Sequence, residues 1–100
     1  MSQTRREFRK ILGDGGRVLG TAEYVEGKLD GQSRTYDTFG QLTEEALFSA
    51  GNHHGQYRSW WNNGQLKEEG SYINGRRVGT YRWYGKDGVL IQQHDYGTAL

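Results

Sequence analysis

The sequence has no cysteine, no proline and no long hydrophobic run. Without cysteine the chain has no disulfide, no thiolate zinc site and no cysteine nucleophile. Without proline, no residue prevents a strand from pairing with its neighbours. No stretch approaches the length of a membrane span, and the first ten residues, MSQTRREFRK, contain no apolar run of signal-peptide length. These absences predict a cytoplasmic protein that does not interact with a membrane.

The composition of the 100-residue chain favours strands and turns in one domain. Its hydrophobic fraction is 33%, yet 13 residues are aromatic, so its apolar surface consists largely of rings. Sixteen glycines indicate many turns with positive φ. The formal net charge of +1 lacks the strong basic excess that is typical of nucleic-acid binders.

Residues of the same type recur every 24 positions. Glycine recurs at Gly16, Gly40, Gly64 and Gly88, an aliphatic residue at Val18, Leu42, Leu66 and Leu90, and an aromatic residue at Tyr24, Phe48, Tyr72 and Tyr96. Agreement of several positions at one period is the signature of a repeat protein. The chain is therefore predicted to be one domain over residues 1–100, with repeats at approximately 8–31, 32–55, 56–79 and 80–100.

Each repeat has the pattern of two strands and two turns. A tripeptide ending in glycine, such as Asn62-Asn63-Gly64, fits a short hairpin loop, and a looser connection, such as NGRRVG at residues 74–79, leads into the next repeat. Hairpins joined in order form an antiparallel meander. The predicted fold is all-β: about eight short strands from four 24-residue hairpin repeats, in one elongated sheet.

The adjacent residues Trp60 and Trp61 must lie on opposite faces of a strand. Trp60 is matched in the other repeats by Leu12, Tyr36 and Tyr84, whereas Trp61 is matched by Gly13, Asp37 and Gly85. A position that accepts aspartate is unsuited to a core, so we predict that Trp60 builds the sheet and that Trp61 lies on an outward face. By alternation Tyr57 and Ser59 share that outward face, as do Tyr81 and Trp83 one repeat later.

A basic residue occupies the same position in all four repeats, and we call this set the basic column: Lys10, Arg34, Arg58 and Arg82. In a meander these residues lie two strands apart, at roughly 9 to 10 Å. The column could contact phosphates or an acidic partner. Alternatively, its members could pair across strands with acids such as Glu44 and Glu68. Near-neutral net charge favours the pairing.

Three other patterns give no reaction centre. His53 and His54 are neighbours without further metal ligands at suitable spacing, so a solvated turn is the preferred interpretation. The stretch GDGGRVLG at residues 13–20 lacks the ending and the helix of a phosphate loop, which favours a turn. The paired acids Glu44-Glu45 and Glu68-Glu69 recur at the repeat period beside strand residues, as solvated cross-strand partners do. We predict no catalytic residue, no metal site, no cofactor and no enzyme activity.

The stretch GQYRSWWNNGQLKEEGSYINGRRVGTYRWYGKDGVL, residues 55–90, resembles the MORN-repeat variant proteins, in particular small bacterial antitoxin-like ones. The resemblance is strong over residues 55–96 and fainter over residues 8–51. It implies an elongated sheet of β-hairpin repeats that serves as a binding scaffold without catalytic residues.

Together these observations predict a non-enzymatic protein that binds, and by binding inhibits, a macromolecular partner, most readily a protein such as a toxin, an effector or an enzyme. Tyrosine and tryptophan dominate binding hot spots, so the predicted contacts are Tyr57, Trp61, Tyr81 and Trp83. The alternatives are a nucleic-acid or phosphate-surface binder that uses the basic column, and a homo-oligomeric structural module such as a homodimer.

Overall fold

A computed structural model describes residues 5–98 and contains one eight-stranded antiparallel sheet whose strands follow the sequence order. The strands are β1 (Arg6–Leu12), β2 (Val18–Val25), β3 (Lys28–Tyr36), β4 (Leu42–Ser49), β5 (Asn52–Trp60), β6 (Leu66–Ile73), β7 (Arg76–Tyr84) and β8 (Leu90–Asp95). One short 3-10 turn, Asp14–Gly16, is the single helical element of the described residues. The part of the chain that the structure describes has no helix that is long and apolar enough to cross a membrane. The prediction of an all-β meander is confirmed.

The same pair of backbone hydrogen bonds closes the loop within each of the four repeats, and each loop ends in glycine as predicted. In the loop between β5 and β6 the amide of Trp61 donates to the carbonyl of Gln65 at 2.8 Å, and the amide of Gly64 donates back to the carbonyl of Trp61 at 3.0 Å. Gly64 has a φ of 87°, a conformation that residues with a Cβ rarely adopt. The same pair of hydrogen bonds recurs in the loop between β7 and β8.

The connections between repeats are tighter than the sequence suggested. The loop predicted over residues 74–79 consists of Asn74 and Gly75 alone, because β7 already begins at Arg76. Both loop residues have positive φ, 49° and 83°, as the two central residues of a type I′ hairpin turn require. A bulge follows the tight turn, further along the strand. In the preceding connection, between β4 and β5, the three residues from His54 to Gln56 stand opposite Leu47 alone.

The sheet is a single layer measuring 49 × 44 × 11 Å. Its accessible surface is 7040 Å², whereas a compact globular protein of this mass exposes about 5,800 Å². No second layer covers either face in the described residues, so few side chains are fully buried. Those below a tenth exposed are Ala22, Ala46, Ser59 and Tyr81.

The four buried side chains lie on one face, which we call the aromatic face and which carries Tyr57, Ser59, Tyr81 and Trp83. The opposite face, which we call the charged face, carries the basic column with Glu45 and Glu69. The expectation that Tyr57, Ser59 and Tyr81 point to an open outer surface was wrong in part, because Ser59 is 6% exposed and Tyr81 is 0% exposed. Trp60, predicted to be structural, is half-buried on the charged face beside its cross-strand partner Leu66.

Candidate functional site

The aromatic face carries a continuous set of packed rings, which we call the aromatic cluster. Its centroids lie from 4.3 Å apart, for Phe48 and His53, to 6.2 Å apart, for Tyr81 and Tyr96. Its members are Phe48, His53, Tyr57, Tyr72, Tyr81, Trp83, His94 and Tyr96. All of them come from residues 48–96, so the cluster occupies one end of the aromatic face.

Small residues make room for the rings in the middle of this face. Ala46 lies directly opposite Tyr57 on the neighbouring strand, and it is 2% exposed. Gly70 takes the equivalent place one repeat later, where the Tyr81 ring lies so close that a Cβ on Gly70 would overlap with it. The ring covers backbone that glycine leaves open, which explains how Tyr81 is fully buried in a one-layer sheet.

Two tyrosine hydroxyls on this face donate to carboxylates. Tyr57 donates to Glu44 Oε2 at 2.9 Å, and Tyr81 donates to Glu68 Oε1 at 2.6 Å. The pairs are 24 residues apart and have the same cross-strand arrangement. Burial raises the pKa of both tyrosines above its ordinary value, and the hydrogen bonds to Glu44 and Glu68 raise it further. Both hydroxyls therefore remain protonated donors well into the alkaline range.

Arg77 lies over the rings of the aromatic cluster and remains exposed to solvent. Its guanidinium lies 4.5 Å from the Tyr81 ring centroid, within the range of a cation–π contact. The same group donates to the hydroxyls of Tyr72 at 3.3 Å and Tyr96 at 3.2 Å, and it lies 3.8 Å from Glu68 Oε1. The hydrogen bond with Tyr72 raises the pKa of Arg77 above its ordinary value. The surface thus binds a guanidinium through two contacts, stacking on the Tyr81 ring and an ion pair with Glu68.

Ser59 lies between the two acids. It is the cross-strand partner of Glu44 on one side and of Glu68 on the other, so the three residues form a row across β4, β5 and β6. Its hydroxyl oxygen is buried and has no hydrogen-bond partner within residues 5–98. An unpartnered buried hydroxyl is uncommon, because leaving such a group unpaired costs roughly 1 to 3 kcal/mol.

Trp61 occupies a different place from the other three predicted contact residues. It follows the last residue of β5, and its indole Nε1 donates to the carbonyl of Tyr84 at 3.0 Å. The ammonium groups of Lys67 and Lys86 lie 4.7 and 5.5 Å from its ring. Of the predicted set, Tyr57, Tyr81 and Trp83 come together in the aromatic cluster, whereas Trp61 is half-buried at the turn end of the sheet.

The basic column forms a straight row on the charged face, but its acidic partners differ from those predicted. Arg34 donates to Glu45 Oε2 at 2.9 Å, and Arg82 lies 3.6 Å from Glu69. Arg58 stands between Glu45 and Glu69 in register, while Lys10 stands opposite Thr21. The hydrogen bond with Glu45 raises the pKa of Arg34.

Glu44 and Glu68 were therefore the wrong partners for the basic column, and a bulge is the reason. Trp60 pairs with Leu66, and regular counting from that pair would place Glu68 opposite Arg58. The register shifts between Ser59 and Trp60, so Glu69 takes that position and Glu68 turns to the aromatic face.

The neighbouring histidines lie in β5 rather than in a solvated turn. His53 stacks on Tyr72 at 4.7 Å, and His54 Nδ1 accepts a hydrogen bond from the amide of Asn74 at 3.3 Å. Within residues 5–98 the structure brings together no group of three or more potential metal ligands. Residues 13–20 contain the 3-10 turn and the start of β2.

Sequence reasoning missed Arg77, placed Ser59 on the face of Tyr57 without giving it a role, and assigned Glu44 and Glu68 to the other face. One signal for the packed face was present in the repeat. Small residues recur at Ala22, Ala46 and Gly70, and two of these stand against the large rings of Tyr57 and Tyr81. A small residue beside a large ring indicates a packed face.

The single sheet of consecutive hairpins, with its aromatic face, places this chain in the class of β-hairpin repeat proteins. The MORN repeat variant family model matches residues 29–50, 54–74 and 77–96, which together exceed half of the chain. The chain belongs to this family. Repeats of this kind occur in binding modules and are in general non-catalytic. No curated protein and no solved structure matches the chain.

Proposed function

We propose that this protein binds a protein partner through the aromatic cluster and catalyses no reaction. By covering its partner's surface it inhibits that partner, in the manner of an antitoxin that blocks a toxin, an effector or an enzyme. The observation that carries this proposal is the concentration of packed, partly exposed rings at one end of one face. A monomeric protein rarely exposes such a patch without a binding role.

The packing of the rings suits them to recognition. Tyrosine and tryptophan offer a large contact area for little loss of side-chain entropy, and here neighbouring rings already restrict their motion. Tyr57 and Trp83 are half-buried and can contact a partner. Tyr81 is fully buried beneath them, so its role is to support the contact surface. Trp61 extends the surface at the turn end of the sheet.

The basic column is the weaker candidate surface. Glu45 and Glu69 alternate with its arginines across the strands and offset much of their positive charge. A surface that binds nucleic acid needs cations that are available to phosphates, and such binding weakens steeply with added salt. Binding through the aromatic cluster should change little between low and moderate salt.

The test is capture of a partner from native lysate on three immobilised variants. The wild-type chain and Arg58→Ala should retain the same partner, whereas Trp83→Ala should lose it by more than about tenfold, as loss of a hot-spot residue does. Arg58 lies on the charged face, which makes it the matched control. Thermal melts establish that both variants are folded. The purified partner's activity should then fall when the wild-type chain is added.

Two results would contradict the proposal. Loss of the partner with Arg58→Ala but not with Trp83→Ala, together with steep salt dependence, would assign binding to the basic column. Capture of copies of the chain alone would identify a homo-oligomeric module.

A further inference from the structure

We propose that the partner supplies an arginine side chain, which binds at Glu44 and stacks on Tyr57 of the aromatic face. This inference rests on the proposed function, because it specifies the chemistry of the protein partner.

The acids of the aromatic face are incompletely balanced by cations. Glu44 and Glu68 flank Ser59 on adjacent strands. Arg77 approaches Glu68, but Glu44 forms no ion pair within residues 5–98. Glu44 is exposed, and its one side-chain hydrogen bond in this part of the chain is from the Tyr57 hydroxyl. A negative charge is therefore presented at the edge of the aromatic cluster.

Arg77 shows how this surface binds a guanidinium. It stacks 4.5 Å from the Tyr81 ring centroid and lies 3.8 Å from Glu68, while its N–H groups reach two tyrosine hydroxyls. The Tyr81 ring stacks on the guanidinium plane, the acid balances its charge, and the two hydroxyls accept its hydrogen bonds. The guanidinium that occupies it comes from the chain itself.

The same arrangement exists one repeat earlier without the guanidinium. Each residue of the Arg77 site has a counterpart 24 positions earlier. Glu44 corresponds to Glu68, Tyr57 to Tyr81 and Phe48 to Tyr72. His53 stands in the place of Arg77, and its ring stacks between Phe48 and Tyr72. The acid and the ring of the earlier site are therefore present, and the matching cation is not.

Ser59 provides an independent sign that the row accommodates a donor. Its side chain lies on the same face as Glu44 and Glu68, it is 6% exposed, and its hydroxyl oxygen has no partner in the described chain. Trp83 stands 24 residues after Ser59, so the next repeat has no hydroxyl at the equivalent position. A donor that reaches the row would give this oxygen a partner.

Arginine fits these groups better than lysine. Its planar guanidinium can stack on a tyrosine ring while it donates to a carboxylate, whereas an ammonium is a compact, strongly hydrated charge. Arg77 stacks on the Tyr81 ring and forms an ion pair with Glu68 at 3.8 Å.

The first test uses the pentapeptide acetyl-Gly-Gly-Arg-Gly-Gly-amide as the probe, in a ¹H–¹⁵N NMR titration at low salt. We expect saturable shifts centred on Glu44, Tyr57 and Ser59. The same peptide with citrulline in place of arginine keeps the shape but has no charge, and it should cause no saturable shift. Equal binding of the two peptides, shifts centred on the charged face, or no shift at all would overturn the inference.

The second test compares two neighbouring acids on opposite faces. Glu44→Gln should lower the affinity for the arginine peptide by about tenfold, because it removes a charge-assisted hydrogen bond. Glu45→Gln, the matched control, should leave the affinity within about twofold, since Glu45 faces Arg34 on the other side of the sheet. Equal losses in the two variants would show that only net charge matters and would overturn the site.

Failure of this inference can be told apart from failure of the proposed function. If the partner is lost with Trp83→Ala but retained by Glu44→Gln, and the peptide does not bind, the aromatic cluster binds a partner without the arginine contact. If Trp83→Ala retains the partner, the proposed function fails, whatever the peptide shows.

Discussion

The two faces of this sheet are built from the same strands but are stabilised by different interactions. The aromatic face contains every residue below a tenth exposed within residues 5–98. On the charged face the shortest ion pair of the basic column joins Arg34 and Glu45, whose side chains are 40% and 25% exposed. Such pairs contribute about 0 to 1 kcal/mol, whereas a buried aromatic contributes several. The comparison indicates that folding free energy is concentrated on the aromatic face.

The largest expected effect separates the faces by truncating one ring on each. Tyr81→Ala should lower the free energy of unfolding by about 3 to 5 kcal/mol, because it removes a buried ring from its place over Gly70. Trp60→Ala, on the charged face, should lower it by about 1 to 2 kcal/mol, since its ring is half-buried. Urea denaturation of the two variants measures both values. Equal losses would mean that neither face dominates.

A smaller effect follows from placing alanine at two neighbouring positions. Gly70→Ala should destabilise the fold by about 1 to 3 kcal/mol, because the new Cβ overlaps with the Tyr81 ring. Ser71→Ala changes the adjacent residue, whose side chain lies on the other face, and should stay within about 0.5 kcal/mol. Thermal melts of both variants provide the measurement. A neutral Gly70→Ala would show that the Tyr81 ring can move aside.

The smallest effect compares two tyrosine–glutamate hydrogen bonds on opposite faces. Tyr57→Phe removes the bond to Glu44 and should cost about 1 kcal/mol at neutral pH. Tyr84→Phe removes the bond to Glu69 on the charged face and should cost about half as much. The bond to Glu69 is the largest cause of the raised pKa of Tyr84 and burial comes second, whereas burial is the largest cause for Tyr57. Denaturation at pH 7 measures both.

The pH dependence of the same variants sharpens this comparison. A tyrosine ionises near pH 10 in the unfolded chain, while burial raises the pKa of Tyr57 in the folded protein. Its contribution to stability is therefore complete below pH 10 and is lost as the pH rises through the folded value. Tyr57→Phe should flatten this alkaline loss more than Tyr84→Phe does. A wild-type stability that stays constant above pH 10 would contradict the assignment.

The fold could be predicted from the sequence because its turns are specified by residues that are close together in the chain. Glycines at a fixed period specify turns with positive φ, and those turns fix the order of the strands. Alternation then divides each strand into two sets of side chains, such as Tyr57 with Ser59 and Arg58 with Trp60. It does not say which set is packed, since a single-layer sheet has no inside.

The site could be predicted only in part, because its acids depend on register. Glu68 and Glu69 are neighbours, and the bulge beside Trp60 decides which of them meets Arg58. That bulge arises from the conformation of the hairpin loop, which the spacing of apolar residues does not reveal. Arg77 was missed because its partners, Tyr81 and Glu68, lie on two different strands.

Each repeat takes the same place in the sheet as the repeat before it, and this has a consequence for how the protein can change. Because directly opposite residues on neighbouring strands share a face, a whole 24-residue repeat can be duplicated or deleted without exchanging the two surfaces. The bulge at His54 to Gln56 adds two residues relative to β4, so the side chains before and after it stay on their faces. An insertion of one residue within a strand would instead invert every side chain beyond it until the next turn. The molecule can therefore grow by whole repeats and still keep its aromatic face and its charged face on opposite sides of the sheet.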